Sequence, residues 1–252
     1  MGISLRPNGM TGAAHALRYW ERRQEVVSNN LANTSTDGFK AERAFASLVE
    51  GAVPAIDTRT DLRAGNLRPT GAPLDLALAS DGFLVVDTRN GERLSRGGSF
   101  RLDDERRLVT ANGEPLLGEG GPIVLDAAAA AQLQAAGAGD GAQVDALVQV
   151  DRDGGVRIAG TPVATLRVER VPAGARLEHA GGNLFLPPDG REPVPPGERE
   201  LRQGVVEESN VSSIDALVEM ITVQRAYASV QKVMTTLDAT RGLLTSEIGK
   251  PV

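Results

Sequence analysis

The chain has 252 residues, with 27 Lys+Arg against 33 Asp+Glu and a formal net charge of -6. That length allows one large or two modest domains with a real core, and a hydrophobic content of 41% excludes a wholly disordered chain. The mild acidity, without a Lys/Arg cluster, argues against nucleic-acid binding, and 3% aromatics leave little stacking surface for single strands or sugars. No apolar run approaches the ~20 residues that cross a bilayer. Cysteine is absent, which excludes disulfides, thiolate catalysis and cysteine-based metal sites.

The start, Met1-Gly-Ile-Ser-Leu-Arg6, lacks a charged-then-apolar leader pattern, and Arg6 breaks the myristoylation pattern. The expectation is a cytoplasmic chain, or one that leaves by a route without a cleaved signal. From Met10, the positions Met10, Ala13, Leu17, Trp20, Gln24, Val27 and Leu31 step by 3 and 4, which predicts a helix with one apolar seam interrupted at Gln24. Asn8 or Thr11 could cap its start. The polar run Ser28-Asn29-Asn30, then Asn33 to Gly38, is expected to end it, because these side chains compete for nearby backbone.

Residues 46–66 read as a linker, and the segment 67–203 as an all-β domain. Short β-prone runs occur at Phe83–Val86, Leu108–Val109 and Ile123–Leu125, with more at Ala146–Val150, Val156–Ile158 and Val163–Val171. Turn signals separate them at Asp81-Gly82, Asn90-Gly91, Asn112-Gly113 and Asp153-Gly154. The Ala/Gly-rich stretch Ala127 to Gly141 is either a short helix or a loose loop. Pro187 to Gly197, with five prolines, is expected as an extended surface loop.

Near the other end, Ser212-Ser-Ile-Asp215 reads as a capping box. Ala216, Met220, Val223, Tyr227, Val230, Met234, Leu237, Arg241, Leu244 and Ile248 then step by 4 and 3 without a break. A helix from Ser213 to Ile248 is roughly 50 Å long at 1.5 Å per residue. Such a helix needs a partner for its seam, and the amino-terminal helix is the obvious one. The fold class is therefore α+β, with N- and C-terminal helices pairing as a coiled coil around a central all-β domain. The boundaries read 1–45 for the first helix and its loop, 46–66 for the linker, 67–203 for the β domain and 204–252 for the second helix.

No catalytic constellation emerges. Asp151-Arg-Asp-Gly154 begins like a calcium loop, but Pro162 stands where a bidentate Glu is needed, so a hairpin turn fits better. Ser229-Val-Gln-Lys232 lies inside the heptad helix with no Lys-Thr-Gly following, and Gly118, Gly120 and Gly121 lack phosphate-loop spacing. His15 reads as a helix-surface residue and His179 as a loop residue. Asp75, Asp81 and Asp103 are the best acidic candidates for an enzyme, yet they fit turn capping better. No cofactor, metal, small-molecule substrate, nucleic acid or membrane insertion is expected.

Ser28-Asn-Asn-Leu-Ala-Asn33-Thr-Ser-Thr-Asp-Gly-Phe-Lys40 is similar to the amino-terminal signature of flagellar basal-body rod and hook proteins. Gly204-Val-Val-Glu-Glu-Ser-Asn-Val211, followed by Glu219-Met-Ile and Gln224-Arg-Ala-Tyr227, resembles the family's carboxy-terminal signature. Between them Thr70–Ala77, Asp81-Gly-Phe83, Ser95–Phe100 and Leu108–Gly113 resemble its β domain. Two places depart from the pattern: Ala79-Ser80, where a Gly is usual, and Gly97, where an acidic residue is usual. The signature residues carried over are Asn29, Asn30, Leu31, Asn33, Thr36, Gly38, Phe39, Ser209, Asn210 and Val211. The short link from Gly51 to Asn66, with Val85-Val86 and Leu117–Ile123, looks more like the proximal rod protein, whereas Gln224–Tyr227 looks more like the distal one. Proximal is favoured.

The resemblance implies a structural subunit of the basal-body rod, not an enzyme. It implies export through the flagellar secretion apparatus without a cleaved signal, passage into the rod across the periplasm, and partners that are copies of itself and other axial proteins. It also implies polymerisation into a torque-transmitting shaft through a self-assembly seam of Leu17, Trp20, Val27, Leu31, Met220, Val223, Tyr227, Val230, Met234 and Leu237. The competing reading is a soluble β-domain binding module that the helices merely oligomerise, which predicts a closed oligomer of fixed size.

Overall fold

The computed structural model describes residues 9–47, 55–125, 145 and 147–248. Two helices form where apolar residues recur every third or fourth position: α1 (Gly9–Ala32, 24 residues) and α2 (Ser213–Ile248, 36 residues). The Ser212 hydroxyl accepts the Asp215 N–H at 3.3 Å, and the Ser212 carbonyl accepts the Ala216 N–H at 2.9 Å, so α2 starts on the expected cap. At α1, Asn8 lies outside the described residues, and Thr11 stands inside the helix rather than capping it.

The polar run Ser28-Asn29-Asn30 does not stop α1, which continues to Ala32. Asn30 is buried, and its side chain bonds elsewhere. Its carbonyl accepts the Glu42 N–H at 2.9 Å and its amide donates to the Glu42 carbonyl at 2.8 Å. A side chain expected to compete for helix backbone instead satisfies both polar groups of a strand residue. That strand, β1 (Glu42–Ser47), pairs with β2 (Ala55–Thr60). The sequence predicts no strand here, because Glu42-Arg-Ala-Phe-Ala-Ser47 shows no clean apolar alternation.

The chain divides into two compact units. One gathers α1, β1, β2 up to Arg59, and α2. The other comprises Asn33–Ala41 and Thr60–Asn210, and its described residues are mainly β-strands with a short 3-10 helix at Pro196–Glu198. Its strands are β3 (Leu67–Pro69), β4 (Asp75–Leu78), β5 (Phe83–Thr88), β6 (Gly91–Ser95), β7 (Gly97–Leu102), β8 (Leu108–Thr110), β9 (Leu117–Gly118) and β10 (Gly121–Pro122). They continue as β11 (Val148–Val150), β12 (Gly155–Ile158), β13 (Thr161–Thr165), β14 (Val168–Arg170), β15 (His179–Gly181), β16 (Leu184–Phe185), β17 (Glu192–Pro193), β18 (Leu201–Gln203) and β19 (Val205–Glu207).

A six-stranded sheet runs β15-β16-β6-β5-β14-β17 and a four-stranded sheet runs β18-β4-β7-β8. A three-stranded meander, β11-β12-β13, and the pairs β9-β10 and β3-β19 complete the unit. Strand β5 lies inside the larger sheet and is covered on both faces. Leu84 and Val86 join one core cluster with Leu76, Leu78, Leu116, Ile158 and Val168. Phe83 and Val85 point the other way, into a second cluster with Leu94, Leu177 and Phe185. Two buried faces explain why Phe83-Leu-Val-Val86 reads as an unbroken apolar run rather than an alternation.

Three expectations are corrected in detail. The run Val163–Val171 is two strands, β13 and β14, interrupted at Leu166-Arg167. The proline-rich stretch Pro187 to Gly197 is not simply a surface loop: it supplies the edge strand β17, which pairs with β14, and buries Val194 completely. His179 opens strand β15 rather than lying in a loop. The Ala127–Gly141 stretch lies outside the described residues. Asp151–Gly154 is a hairpin turn, with the Gly154 N–H donating to the Asp151 carbonyl at 3.0 Å.

Candidate assembly site

In the helical unit, α1 and α2 pack against each other. The direction is antiparallel: Arg23, late in α1, meets Glu219, early in α2, at 2.7 Å, whereas Met10 meets Arg241 and Gly9 lies beside Leu237. Val27 and Val223 are buried, with Val223 at 0% exposure. Leu17, Trp20, Leu31, Met220, Tyr227, Val230, Met234 and Leu237 are all half-buried. Arg23 also lies 5.6 Å over the Trp20 ring and donates to the Tyr19 hydroxyl at 3.2 Å. Val26 and Ala13 are buried too. Val26 escapes a strict heptad count because a helix of 3.6 residues per turn brings a second column toward its partner.

In the β unit, the two signature segments meet around a buried charge cluster. Lys40 Nζ bonds the Glu207 carboxylate and donates to the Arg63 carbonyl at 2.8 Å. Arg96 Nε donates to the other Glu207 oxygen at 2.9 Å, and the Gly65 N–H donates to Glu207 Oε1 at 2.8 Å. Lys40 and Glu207 side chains are 0% and 1% exposed. The remaining Arg96 donors reach the carbonyls of Leu78, Ser80 and Gly82. A Cβ at Gly65 would sit 1.9 Å from the Glu208 carbonyl oxygen, so the backbone there approaches as only glycine permits.

Burial pushes the Lys40 ammonium below its ordinary value, against the pull of Glu207. Burial alone would raise the Glu207 carboxyl, but Arg96 and Lys40 outweigh it and hold it below the usual carboxylate range. The two directions agree: the carboxylate faces two cations, whereas Lys40 has one anion within bonding reach.

Asn210 ties the same place together. Its carbonyl accepts the Ala41 N–H at 2.7 Å, and its amide donates to Asp61 O and Arg63 O at 2.8 and 2.9 Å. The Gly38 N–H donates to the Glu207 carbonyl at 2.6 Å. Phe39 is buried with its ring 4.8 Å from His179, which in turn lies 4.8 Å from Phe185. Asn33 and Thr36 form the turn that follows α1, with Thr36 Oγ1 donating to Asn33 Oδ1 at 3.0 Å. Ser209 and Val211 are half-buried, and Asn29 is exposed on α1.

Lys40, Glu207 and Arg96 were not picked out by sequence reasoning as site residues. The available signal was a charged residue set within β-prone sequence, as at Val205-Val206-Glu207, but nothing local tells a buried ion from a solvated one. Among the described residues, no three His, Asp or Glu side chains converge as metal ligands, and no helix is long and apolar enough to cross a membrane.

A helix pair built from both chain ends, with a β unit clasped by the flanking signatures, defines the class of flagellar axial proteins. Three family models match in order: flagella basal body rod protein at residues 12–40, the flagellar hook protein FlgE/F/G D1 domain at 77–158, and the flagellar basal body rod FlgEFG protein C-terminal at 202–246. The flagellar basal-body rod protein FlgF of Caulobacter vibrioides is 30% identical over 84% of this chain and 86% of its own length. FlgF of Escherichia coli is 31% identical over 87% and 89%. The rod protein FlgG of Bacillus subtilis is 28% identical over 88% and 92%. The chain belongs to the flagellar basal-body rod protein family, a structural and non-enzymatic family.

Proposed function

We propose that this rod subunit is the proximal, FlgF-type member and that it polymerises through its terminal helices into a shaft that transmits torque. The antiparallel α1–α2 pair carries this reading, because both chain ends are committed to one rod-like element rather than to a ligand pocket. Matches to relatives named FlgF run from 29% to 32% identity, against 28% to 30% for those named FlgG, which supports the proximal choice. Copies of the chain and other axial proteins would be the partners, and the flagellar export apparatus the route. A repeated head-to-tail contact between identical copies gives an open helical assembly.

The test is deletion of the gene with imaging of isolated basal bodies, followed by immunogold labelling of a tagged chain that restores motility. A truncated rod without assembled hook, and label near the base, are the expected results. An intact flagellum in the deletion strain would refute the rod role, and label at the hook end would refute the proximal position.

A further inference from the structure

A cleft of about 530 Å³ opens in the β unit, where the end of the β5–β6 hairpin faces the turn between β8 and β9. Asn90 and Asn112, from two of the Asn-Gly turn signals, line it with Thr88, and Pro115, Ala180 and Leu184 give it an aliphatic side. Its walls are tied by short-range bonds. The Asp87 N–H donates to the Pro115 carbonyl at 2.8 Å, the Thr88 hydroxyl to the Gly91 carbonyl at 2.7 Å, and the Gly113 N–H to the Thr110 carbonyl at 2.9 Å. A cleft held in this way needs little reordering to receive a ligand.

Two guanidinium groups, those of Arg89 and Arg93, line the same cleft and enter no ion pair among the described residues. Most arginines of the β unit do pair, Arg96, Arg167, Arg191 and Arg199 among them, in a chain of net charge -6. Arg93 is half-buried and anchored by one bond, from Nη1 to the Glu92 carbonyl at 2.7 Å, which leaves Nε and Nη2 without an acceptor among the described residues. The nearby acids do not neutralise it. Asp87 borders the cleft, but the register sets Val86 opposite Arg93 and Asp87 opposite Glu92, so both acids project to the face away from Arg93. Glu92 is bound there by Arg167 and Arg191. Glu114 shares the cleft, and its carboxylate accepts the Thr110 hydroxyl at 3.0 Å. The cleft therefore presents two cations against one anion.

We propose that this cleft binds a glutamate- or aspartate-containing peptide segment of a partner protein, its carboxylate taken by Arg89 and Arg93. The proposal goes beyond the rod reading and does not depend on it. A guanidinium fork matches a carboxylate with two parallel hydrogen bonds. One net positive charge suits a single carboxylate, whereas Glu114 repels the second charge of a phosphate dianion. The amides of Asn90 and Asn112 supply donors and acceptors for peptide groups, and the aliphatic side takes an apolar neighbour of the acid. No aromatic side chain is among the lining residues, so nothing there stacks on a sugar or a base. The volume falls within the roughly 300–1,000 Å³ of ligand pockets, which is room for several residues rather than one small ion.

The probe is a capped pentapeptide with one glutamate between two leucines and an alanine at each end, titrated into the isotope-labelled full chain and followed by NMR. Saturable shifts of the Asn90, Gly113 and Glu114 amides are expected, with an affinity at least about tenfold above that of the same peptide carrying glutamine. Arg93→Gln should weaken the glutamate peptide by about tenfold or more, leave the glutamine peptide unchanged, and keep the unfolding midpoint, since Arg93 pairs with no acid of its own chain. Should R93Q shift that midpoint, Arg89→Gln at an exposed position gives the second reading, and it should weaken the glutamate peptide by about threefold or more. Inorganic phosphate and glucuronate are the competing arms. Tighter binding of phosphate would make this a phosphate site, and tighter binding of glucuronate a sugar-acid site. Either result overturns the proposal, as do equal affinities of the two peptides, shifts confined to other residues, no saturation up to about 10 mM, or full affinity in the arginine variants.

Discussion

Glu207→Gln isolates the electrostatic component of the clasp. The substitution keeps the shape of the side chain and one acceptor but removes the charge that faces Lys40 and Arg96. Arg96 retains three backbone carbonyl acceptors, so most of the damage falls on Lys40, whose remaining neutral partner is the Arg63 carbonyl at 2.8 Å. Removing one partner of a buried ion pair typically costs about 3–5 kcal/mol, and the surviving acceptors place this case near ~3 kcal/mol. At 1.4 kcal/mol per decade that is about a hundredfold increase in opening of the clasp.

Hydrogen exchange of the Ala41 amide in the full chain reads this directly. Its acceptor is Asn210, so the mutation leaves its own bond in place and the amide reports opening of the surrounding structure. The Ala41 amide should exchange about a hundredfold faster in the variant. A second variant, Lys40→Met with Glu207→Leu, removes both charges and should cost less than E207Q alone, because no ammonium is left without its anion. An Ala41 rate within threefold of the original in E207Q, or a double variant clearly worse than the single, would refute the claim that ion pairing closes this site.

Three further outcomes are expected. Because Glu207 is held below its ordinary range in the folded chain, the unfolded state binds more protons as the solution is acidified; its stabilisation is full above the unfolded value and is lost as pH falls through the folded one. Urea midpoints measured from pH 7 downward should therefore fall more steeply for the original chain than for E207Q, and parallel curves would contradict the assignment. Gly97→Ala should destabilise by at least ~2 kcal/mol, since Gly97 has φ 131° and a Cβ would lie 2.1 Å from the Leu76 carbonyl oxygen; an unchanged urea midpoint would contradict this. Val223→Asp should cost on the order of 4 kcal/mol in the helical unit, by placing a carboxylate at a fully buried position, and should change the fluorescence of Trp20, the single tryptophan; no change would exclude the seam as the stabilising contact.

Periodic residues were the legible part of this chain. The α2 limits follow from an unbroken 3–4 repeat and a serine cap, and β5, β8, β11, β12, β13 and β14 fall in the short β-prone runs, whereas Ile123–Leu125 forms no strand and makes only a single bridge, from Val124 to Arg107. What was not legible depends on partners remote in sequence. Asn30 reads as a helix terminator until Glu42 is seen to take both of its polar groups. The burial of Lys40 and Glu207 has no local signal, since their pairing spans 167 positions. Val194 reads as loop until β17 pairs with β14. The departure at Gly97 has a local reason in this chain: with the Leu76 carbonyl so close, an acidic side chain has no room.

The two units differ in how completely they bury their apolar surface. The β unit covers both faces of β5 and pairs its buried cations, Lys40 and Arg96 with Glu207 and Arg199 with Glu119. The helical unit does not close in this way, because pairing with α1 satisfies only one of the two apolar faces of α2. A charge placed at the clasp should therefore change the stability of the monomer with little effect on contacts between copies. A charge placed at the exposed Leu217 or Ile221 should leave the stability of the free chain unchanged. Substitutions in the seam, Val223 above all, should destabilise the helical unit, since Val223 is fully buried against α1.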